Sequence, residues 1–160
     1  MIILGLDPGS RITGWGVITG TQNGWRSLGC GAARLGAEAS HGARIKQLQE
    51  AISKVIGEFH PDVCALESSF MSENAMSALK LGQIRGALML TAQLHGLEVF
   101  EYAPRLIKQA VTGFGGAEKA QVAKMVKLQL GLAQLPSPAD AADALAIALT
   151  HAVASRIPAR

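Results

Sequence analysis

The chain has 160 residues, of which 49% are hydrophobic and 17% are charged. A chain of this length is expected to form a single domain over residues 1–160, and it is too apolar to be intrinsically disordered. Its net charge of +3 is small. A DNA-binding surface would therefore have to arise from local grouping of basic residues rather than from bulk charge.

The cysteines and the N-terminus bear on the cellular compartment. Cys30 and Cys64 lie in apolar segments without CxxC or Cys/His spacing, which predicts neither a disulfide framework nor a zinc site. The N-terminus has no secretory signal pattern, and the apolar stretches are interrupted before they reach membrane-spanning length. We therefore expect a cytoplasmic protein without a membrane partner.

The first part of the chain predicts three strands in hairpin order. An apolar run predicts a strand over residues 2–6, and Asp7-Pro8-Gly9-Ser10 has the composition of a turn. Residues 13–18 and 25–35 predict the second and third strands. Because the connections are short, we expect neighbouring strands in this part of the sheet to be antiparallel.

The rest of the chain alternates helices and strands. Helical spacing of apolar residues and the punctuation by Gly and Pro predict a helix, strand, helix, strand and three further helices, over residues 40–59, 62–67, 74–95, 97–102, 104–111, about 117–131 and 138–154. This order predicts an α/β fold with a five-stranded mixed sheet and helices on both faces. A right-handed crossover then places the first and fourth strands side by side and parallel.

Four of the twelve carboxylates occupy positions where a soluble protein normally places apolar residues. Asp7 and Glu67 each end a buried-looking strand, so parallel pairing brings them to the edge where α/β sheets place their sites. Asp140 and Asp143 are three residues apart in an alanine-rich helix and share one face. Buried carboxylates must be paired or bound to metal, and the neighbouring sequence offers them no lysine.

Three of these carboxylates also have an individual structural explanation. Asp140 fits a capping box with Ser137 as the N-cap, Asp7 suits a turn, and Glu67 suits the end of an edge strand. Asp143 lies deeper in its helix, where capping does not explain it. Four carboxylates about 5 Å apart repel one another by about 3–4 kcal/mol per pair at an effective dielectric of about 20, so their joint occurrence favours a metal site.

The ligand chemistry indicates which metal to expect. Oxygen ligands without His or Cys select hard ions, and two such ions neutralise four carboxylates. We therefore predict two Mg²⁺ ions, for which Mn²⁺ substitutes. Paired ions of this kind suit the hydrolysis of a phosphodiester bond.

These motifs, taken together, resemble a known family over nearly the whole chain. The segments that carry the resemblance are Ile3-Leu4-Gly5-Leu6-Asp7-Pro8-Gly9-Ser10-Arg11, Ala65-Leu66-Glu67, Ser77-Ala78-Leu79-Lys80-Leu81-Gly82-Gln83 and Asp140-Ala141-Ala142-Asp143-Ala144-Leu145-Ala146. They are similar to the RuvC family of bacterial Holliday-junction resolvases. The resemblance implies a ribonuclease H-like fold and a homodimer that nicks four-way DNA junctions symmetrically in recombination and repair, in partnership with the RuvA and RuvB branch-migration proteins.

The resemblance also implies roles for individual residues. It makes four carboxylates catalytic and metal-binding, namely Asp7, Glu67, Asp140 and Asp143. It makes Phe70 a base-contacting aromatic and Lys108 and Lys119 DNA-contacting lysines. An aromatic ring three residues beyond the strand suits stacking on an unpaired base, although an ordinary core Phe is the alternative. A lysine that grips a phosphate steepens the salt dependence of binding by about one, whereas a solvated lysine does not.

Two other functions fit parts of the sequence. The pattern Asp-x-Gly-x-x-x-Thr-Gly from Asp7 to Gly14 also occurs in actin-like ATPases, but 160 residues supply one lobe where those proteins need two. A junction-binding module that does not cut is the second alternative, and the intact set of carboxylates argues against it. The apolar positions of helix 74–95 run round more than one face, which favours a homodimer.

Overall fold

The computed structural model describes residues 1–37, 39–68 and 74–155. Within these ranges five strands and five helices follow one another as β1 (Ile2–Asp7), β2 (Ile12–Thr21), β3 (Gly24–Arg34), α1 (His41–Phe59), β4 (Val63–Glu67), α2 (Ala75–Leu94), β5 (Glu98–Tyr102), α3 (Pro104–Thr112), α4 (Lys119–Gln129) and α5 (Ala139–Ala154). The element types and their order agree with the sequence-based prediction. None of the helices in the described ranges combines the length and apolar character needed to cross a membrane.

The strands form one mixed sheet in the order β3-β2-β1-β4-β5. Strand β1 pairs antiparallel with β2 and parallel with β4, and β4 pairs parallel with β5. The register sets Leu6 opposite Leu66, so the next residue of each strand, Asp7 and Glu67, reaches the same edge of the sheet. The predicted parallel neighbours are confirmed.

The turn after β1 is closed by a buried hydroxyl. Thr13 is fully buried, and its Oγ1 donates to the carbonyl oxygen of Gly9 at 3.2 Å. The same Oγ1 accepts from the Gly9 amide at 3.4 Å. These contacts tie the turn to the start of β2. They hold the chain that follows Asp7 and so restrict the position of the carboxylate.

Helices cover both faces of the sheet, as predicted. On one face α1 and α2 pack against the sheet through large aliphatic side chains, among them the fully buried Leu4 of β1 and Leu48 and Ile52 of α1. On the other face α3, α4 and α5 cover a core that contains Ile3 and Ile18. Burying one such side chain contributes about 1.5–3 kcal/mol, so both layers stabilise the sheet.

The second face brings a helix unusually close to the strands. A Cβ atom at Gly5 would collide with the backbone of Ala144 and one at Gly14 with the backbone of Asp140, both in α5. At Gly16 it would come within 2.8 Å of the Leu145 side chain. Because these glycines place no side chain between the strands and α5, the helix lies nearly on the backbone of the sheet.

Helices α1 and α2 begin as their capping residues indicate, but α5 does not. The Ser40 side chain accepts from the Ala43 amide at 3.2 Å, and that of Asn74 accepts from Ser77 at 2.9 Å. The predicted capping box at Ser137 is wrong. The helix begins one residue later than predicted, so Pro138 is its N-cap instead of Ser137, and the proline side chain has no acceptor for a cap bond.

Candidate functional site

A cavity of about 300 Å³ opens at the edge of the sheet where β1 and β4 end. Three carboxylates line it, Asp7 from β1, Glu67 from β4 and Asp143 from α5. Two lysines join them, Lys108 from α3 and Lys119 from α4. The remaining lining residues are apolar: Pro104, Ile107, Val122 and Ala146. Five elements thus converge on an acidic cavity that two ammonium groups adjoin.

The fourth carboxylate lies beside this cavity rather than in its lining. Asp140 is in the first turn of α5, and its backbone packs against Gly14, the partner of Asp7 in the β1–β2 register. The glycine therefore allows the start of α5 to rest directly beside the end of β1. Asp140 is close enough to raise the pKa of Asp7, as the weakest of the contributing charges.

Lys119 forms an ion pair inside the site. Its Nζ donates to Oδ2 of Asp143 at 2.8 Å, and this bond raises the pKa of the lysine. The lysine side chain is 81% exposed, whereas that of Asp143 is 20% exposed. The expectation that the aspartates of α5 have no cationic neighbour holds along the sequence but is wrong in space, because packing of α4 on α5 joins residues 24 positions apart.

Burial and neighbouring negative charges favour the protonated form of Asp7. Burial is the main cause that raises its pKa, from 3.8 to about 7; Asp143 and Glu67 raise it further, and Lys119 opposes them. Burial also raises the pKa of Glu67, with Asp143 adding to the effect. Lys119, Lys108 and Arg85 lower it. The carboxylates therefore form a group that is short of positive charge.

The donor set fits a hard divalent cation. All the acidic donors are carboxylate oxygens, and a bound cation would favour their charged forms and so reverse the pKa shift of Asp7. Among the residues that the structure describes, no three His, Cys, Asp or Glu side chains already enclose an ion position. Oδ2 of Asp143 instead accepts a hydrogen bond from Lys119.

The sequence-predicted residues are thus distributed as follows. The structure brings together Asp7, Glu67, Asp143, Lys108 and Lys119 and places Asp140 next to them. Phe70, the predicted base-contacting aromatic, lies outside the described residues.

Sequence reasoning missed Arg85. This α2 residue pairs with Glu101 and lies near enough to lower the pKa of Glu67. No local spacing signals that contact, because it depends on how α2 packs against β5.

Comparison with known proteins agrees with the resemblance over the whole fold. The family model described as "Crossover junction endodeoxyribonuclease RuvC" matches residues 3–151. The chain is 49% identical over 150 residues to the protein of that name from Chlorobium phaeovibrioides, which covers 93% of this chain and 79% of the relative. It is 44% identical over 160 residues to that from Natranaerobius thermophilus, with 100% and 99% covered.

A solved structure shows the same architecture. Thermus thermophilus RuvC in complex with a Holliday junction substrate matches with a TM-score of 0.89 and 32% identity, over 99% of this chain and 97% of that one. The fold is therefore ribonuclease H-like, as expected. The chain belongs to the RuvC family of crossover junction endodeoxyribonucleases.

Proposed function

We propose that this chain is a structure-selective endodeoxyribonuclease that resolves four-way DNA junctions in recombination and repair, acting as one nuclease domain over residues 1–160. The observation that carries the proposal is the convergence of Asp7, Glu67 and Asp143 on one cavity in a chain of the RuvC family. The relative from Thermus thermophilus, whose structure contains a Holliday junction substrate, supports the choice of DNA.

The proposed chemistry is hydrolysis of a phosphodiester bond at the carboxylate cavity. Enzymes of this family are metal-dependent nucleases. Here Asp7, Glu67, Asp140 and Asp143 are the proposed ligands of two Mg²⁺ ions, for which Mn²⁺ would substitute. When bound, such ions supply positive charge that activates a water molecule and stabilises the leaving oxygen.

The chain's own groups position the substrate around that chemistry. Lys108 and Lys119 line the cavity from opposite sides of the α3–α4 connection, where their ammonium groups would neutralise phosphates that flank the scissile bond. Ile107 and Val122 form an apolar wall that limits access of bulk water. Phe70 retains its proposed role in contacting unpaired bases at the crossover.

The decisive experiment replaces Asp143 by Asn. We expect junction binding to change by only a few fold, while Mg²⁺-dependent cleavage falls by about 10³-fold, since a metal ligand that contributes several kcal/mol to the transition state is lost. A labelled mobile four-way junction and a linear duplex of the same sequence provide the two substrates.

The matched control is Glu58→Gln. Glu58 is an exposed carboxylate on α1, on the opposite face of the sheet, and its replacement should leave cleavage unchanged. Cleavage by the Asp143→Asn protein at the wild-type rate would refute the assignment of the site. Equal cleavage of the junction and the duplex would refute the selectivity for junctions.

We also propose that the protein is a homodimer, formed through α2. Within the described residues this helix exposes four large apolar side chains to between 58% and 71%, namely Met76, Leu79, Leu90 and Leu94. They recur at helical spacing on one face, and the opposite face buries Ile84 and Leu88 in the core. A two-fold contact through this stripe would present two active sites to a junction.

A charge in the stripe tests the dimer. Leu90→Glu should weaken self-association about 100-fold, because a carboxylate would be buried against an apolar surface. Leu128→Glu is the matched control, since Leu128 is a 71% exposed leucine on α4. Light scattering across micromolar concentrations measures both proteins. If only the control lost the dimer, the interface would lie on α4 and not on α2.

The proposal extends to partners and compartment. Family membership supports cooperation with RuvA and RuvB, and the two free cysteines, Cys30 and Cys64, suit a cytoplasmic location. Co-sedimentation of this protein with a RuvA–RuvB–junction complex tests the partnership. Failure to co-sediment with that complex, under conditions where the protein binds the bare junction, would refute it.

A further inference from the structure

Lys119 stands out in the cavity because it is both exposed and paired. The side chain extends from the first residue of α4, is 81% exposed, and ends on Asp143 Oδ2 at 2.8 Å. Lys108 lines the same cavity, but among the described residues it makes no ion pair within 4 Å. The two lysines therefore differ in their engagement although both adjoin the carboxylates.

The pair neutralises a group of like charges. Asp7, Glu67, Asp140 and Asp143 carry like charges, and Lys119 acts on all four of them as a positive charge that opposes their repulsion. A divalent cation entering the cavity meets the same oxygens. It must compete with the ammonium for Asp143 and is repelled by it while the two are close.

Displacing the lysine costs little. The lysine side chain is 81% exposed, so water screens its charge, and that charge sits on a long, flexible stem. The ammonium is therefore free to move into solvent or onto a nearby phosphate once a cation takes its place.

We propose that Lys119 is an exchangeable counter-ion that couples metal binding to DNA binding. Before a divalent cation binds, the ammonium group of Lys119 pairs with Asp143. When a cation binds, the ammonium leaves Asp143 and becomes available to a DNA phosphate. This inference rests on the proposed nuclease function and adds an order to it. Metal and DNA then bind with positive coupling, because each takes one partner of an existing ion pair.

The first test measures Mn²⁺ affinity without DNA, from the loss of the free-ion EPR signal at pH 8.5. Lys119→Met should bind Mn²⁺ about three- to tenfold more tightly than the wild type, since the competing charge is gone. Lys119→Arg keeps the charge and should bind no more tightly than the wild type. Lys124→Met, an exposed lysine of the same helix that does not line the cavity, should match the wild type.

The second test measures the salt dependence of junction binding by fluorescence anisotropy, in EDTA and in Ca²⁺, with product formation checked on a gel. In a plot of log affinity against log salt concentration, the slope of Lys119→Met should be shallower than that of the wild type by about one in Ca²⁺. In EDTA the two slopes should be nearly equal. Lys108→Met should lower the slope by about one in both conditions, because that lysine is not held by Asp143.

The outcomes separate this inference from the proposed function. Mn²⁺ affinity of Lys119→Met equal to or weaker than that of the wild type would overturn the exchange, and so would a slope change that is the same in EDTA and Ca²⁺. Either result leaves the nuclease proposal standing if Asp143→Asn still abolishes cleavage. Absence of both Mn²⁺ binding and cleavage in the wild type would overturn the two together.

Discussion

The two faces of the sheet are packed in opposite ways. Under α1 and α2 the core consists of large side chains such as Leu48, Ile52 and Leu88. Under α5, Gly5 and Gly14 of the strands face the backbone of Ala144 and Asp140, so that backbone lies close to backbone. The first face fills space with side chains, whereas the second leaves no room for an added atom at these glycines.

This difference gives the two faces different roles, one in the stability of the fold and one in the position of the site carboxylates. Large side chains contribute most of the free energy of burial, and the α1–α2 face supplies such stability without placing a residue in the lining of the cavity. The α5 face sets where Asp140 and Asp143 lie relative to Asp7, because the backbone of Asp140 rests on Gly14. Substitutions on the two faces should therefore have different effects on stability and on cleavage.

The largest stability effect is expected from Leu88→Ala on the α1–α2 face. Leu88 is 1% exposed, and truncation should lower the free energy of unfolding by about 2–5 kcal/mol through lost burial and a residual cavity. Cleavage per folded molecule should stay within about twofold, because α2 contributes no residue to the cavity lining. Urea unfolding and junction cleavage at 15 °C measure the two quantities.

Leu128→Ala serves as the control for that prediction. This leucine is 71% exposed, so its truncation should change stability by no more than about 0.5 kcal/mol. A loss of cleavage in folded Leu88→Ala protein would contradict the division of roles between the faces.

Gly14→Ala should have a smaller effect on stability and a larger one on cleavage. Its Cβ collides with the Asp140 backbone, so either α5 or β2 must shift, at a cost of about 1–3 kcal/mol. A displacement of about 1 Å at the site should lower cleavage by about 100-fold. Urea unfolding and junction cleavage again report both.

The matched control is Gly57→Ala in α1, where an added Cβ meets open space. Alanine is the better helix former there and should stabilise the protein by about 0.5–1 kcal/mol without affecting cleavage. Wild-type cleavage by Gly14→Ala would show that the close approach of α5 does not set the geometry of the site.

The smallest effect concerns a buried histidine on the α5 face. Nδ1 of His151 lies 2.7 Å from the Tyr102 hydroxyl, its ring stacks near Phe100, and the residue is 4% exposed. Burial lowers its pKa, although Glu98 opposes the shift. The unfolded chain, with an ordinary pKa of about 6.5, therefore takes up the proton first, and stability is lost as the pH falls below that value.

His151→Gln should remove this part of the acid sensitivity. Between pH 7.5 and 5.5 the wild type should lose more stability than the variant, measured by urea unfolding at the two pH values. His95→Gln is the control, because His95 is exposed on the protein surface, where it bonds to Ser53. Identical pH dependence of the wild type and His151→Gln would contradict the prediction.

Much of the site was predictable because it depends on strand order. Asp7 and Glu67 each end an apolar run, and a right-handed crossover makes those runs parallel neighbours. Asp143 was predictable as an unexplained charge in an alanine-rich helix. The capping box at Ser137 was wrong, since α5 begins at Ala139 with Pro138 as its N-cap and residue type alone does not fix the first helical residue.

By itself the sequence determined the element order, the mixed five-stranded sheet, the family and the acidic character of the site, because periodicity and chain connectivity are local properties that few folds satisfy together. Only the tertiary structure decided that Lys119 reaches Asp143, that Arg85 lies near Glu67, and that Gly14 admits Asp140. Those contacts join residues far apart in the chain, and their distances follow from how tightly α5 packs on the sheet. A pattern of residue types carries no measure of that closeness.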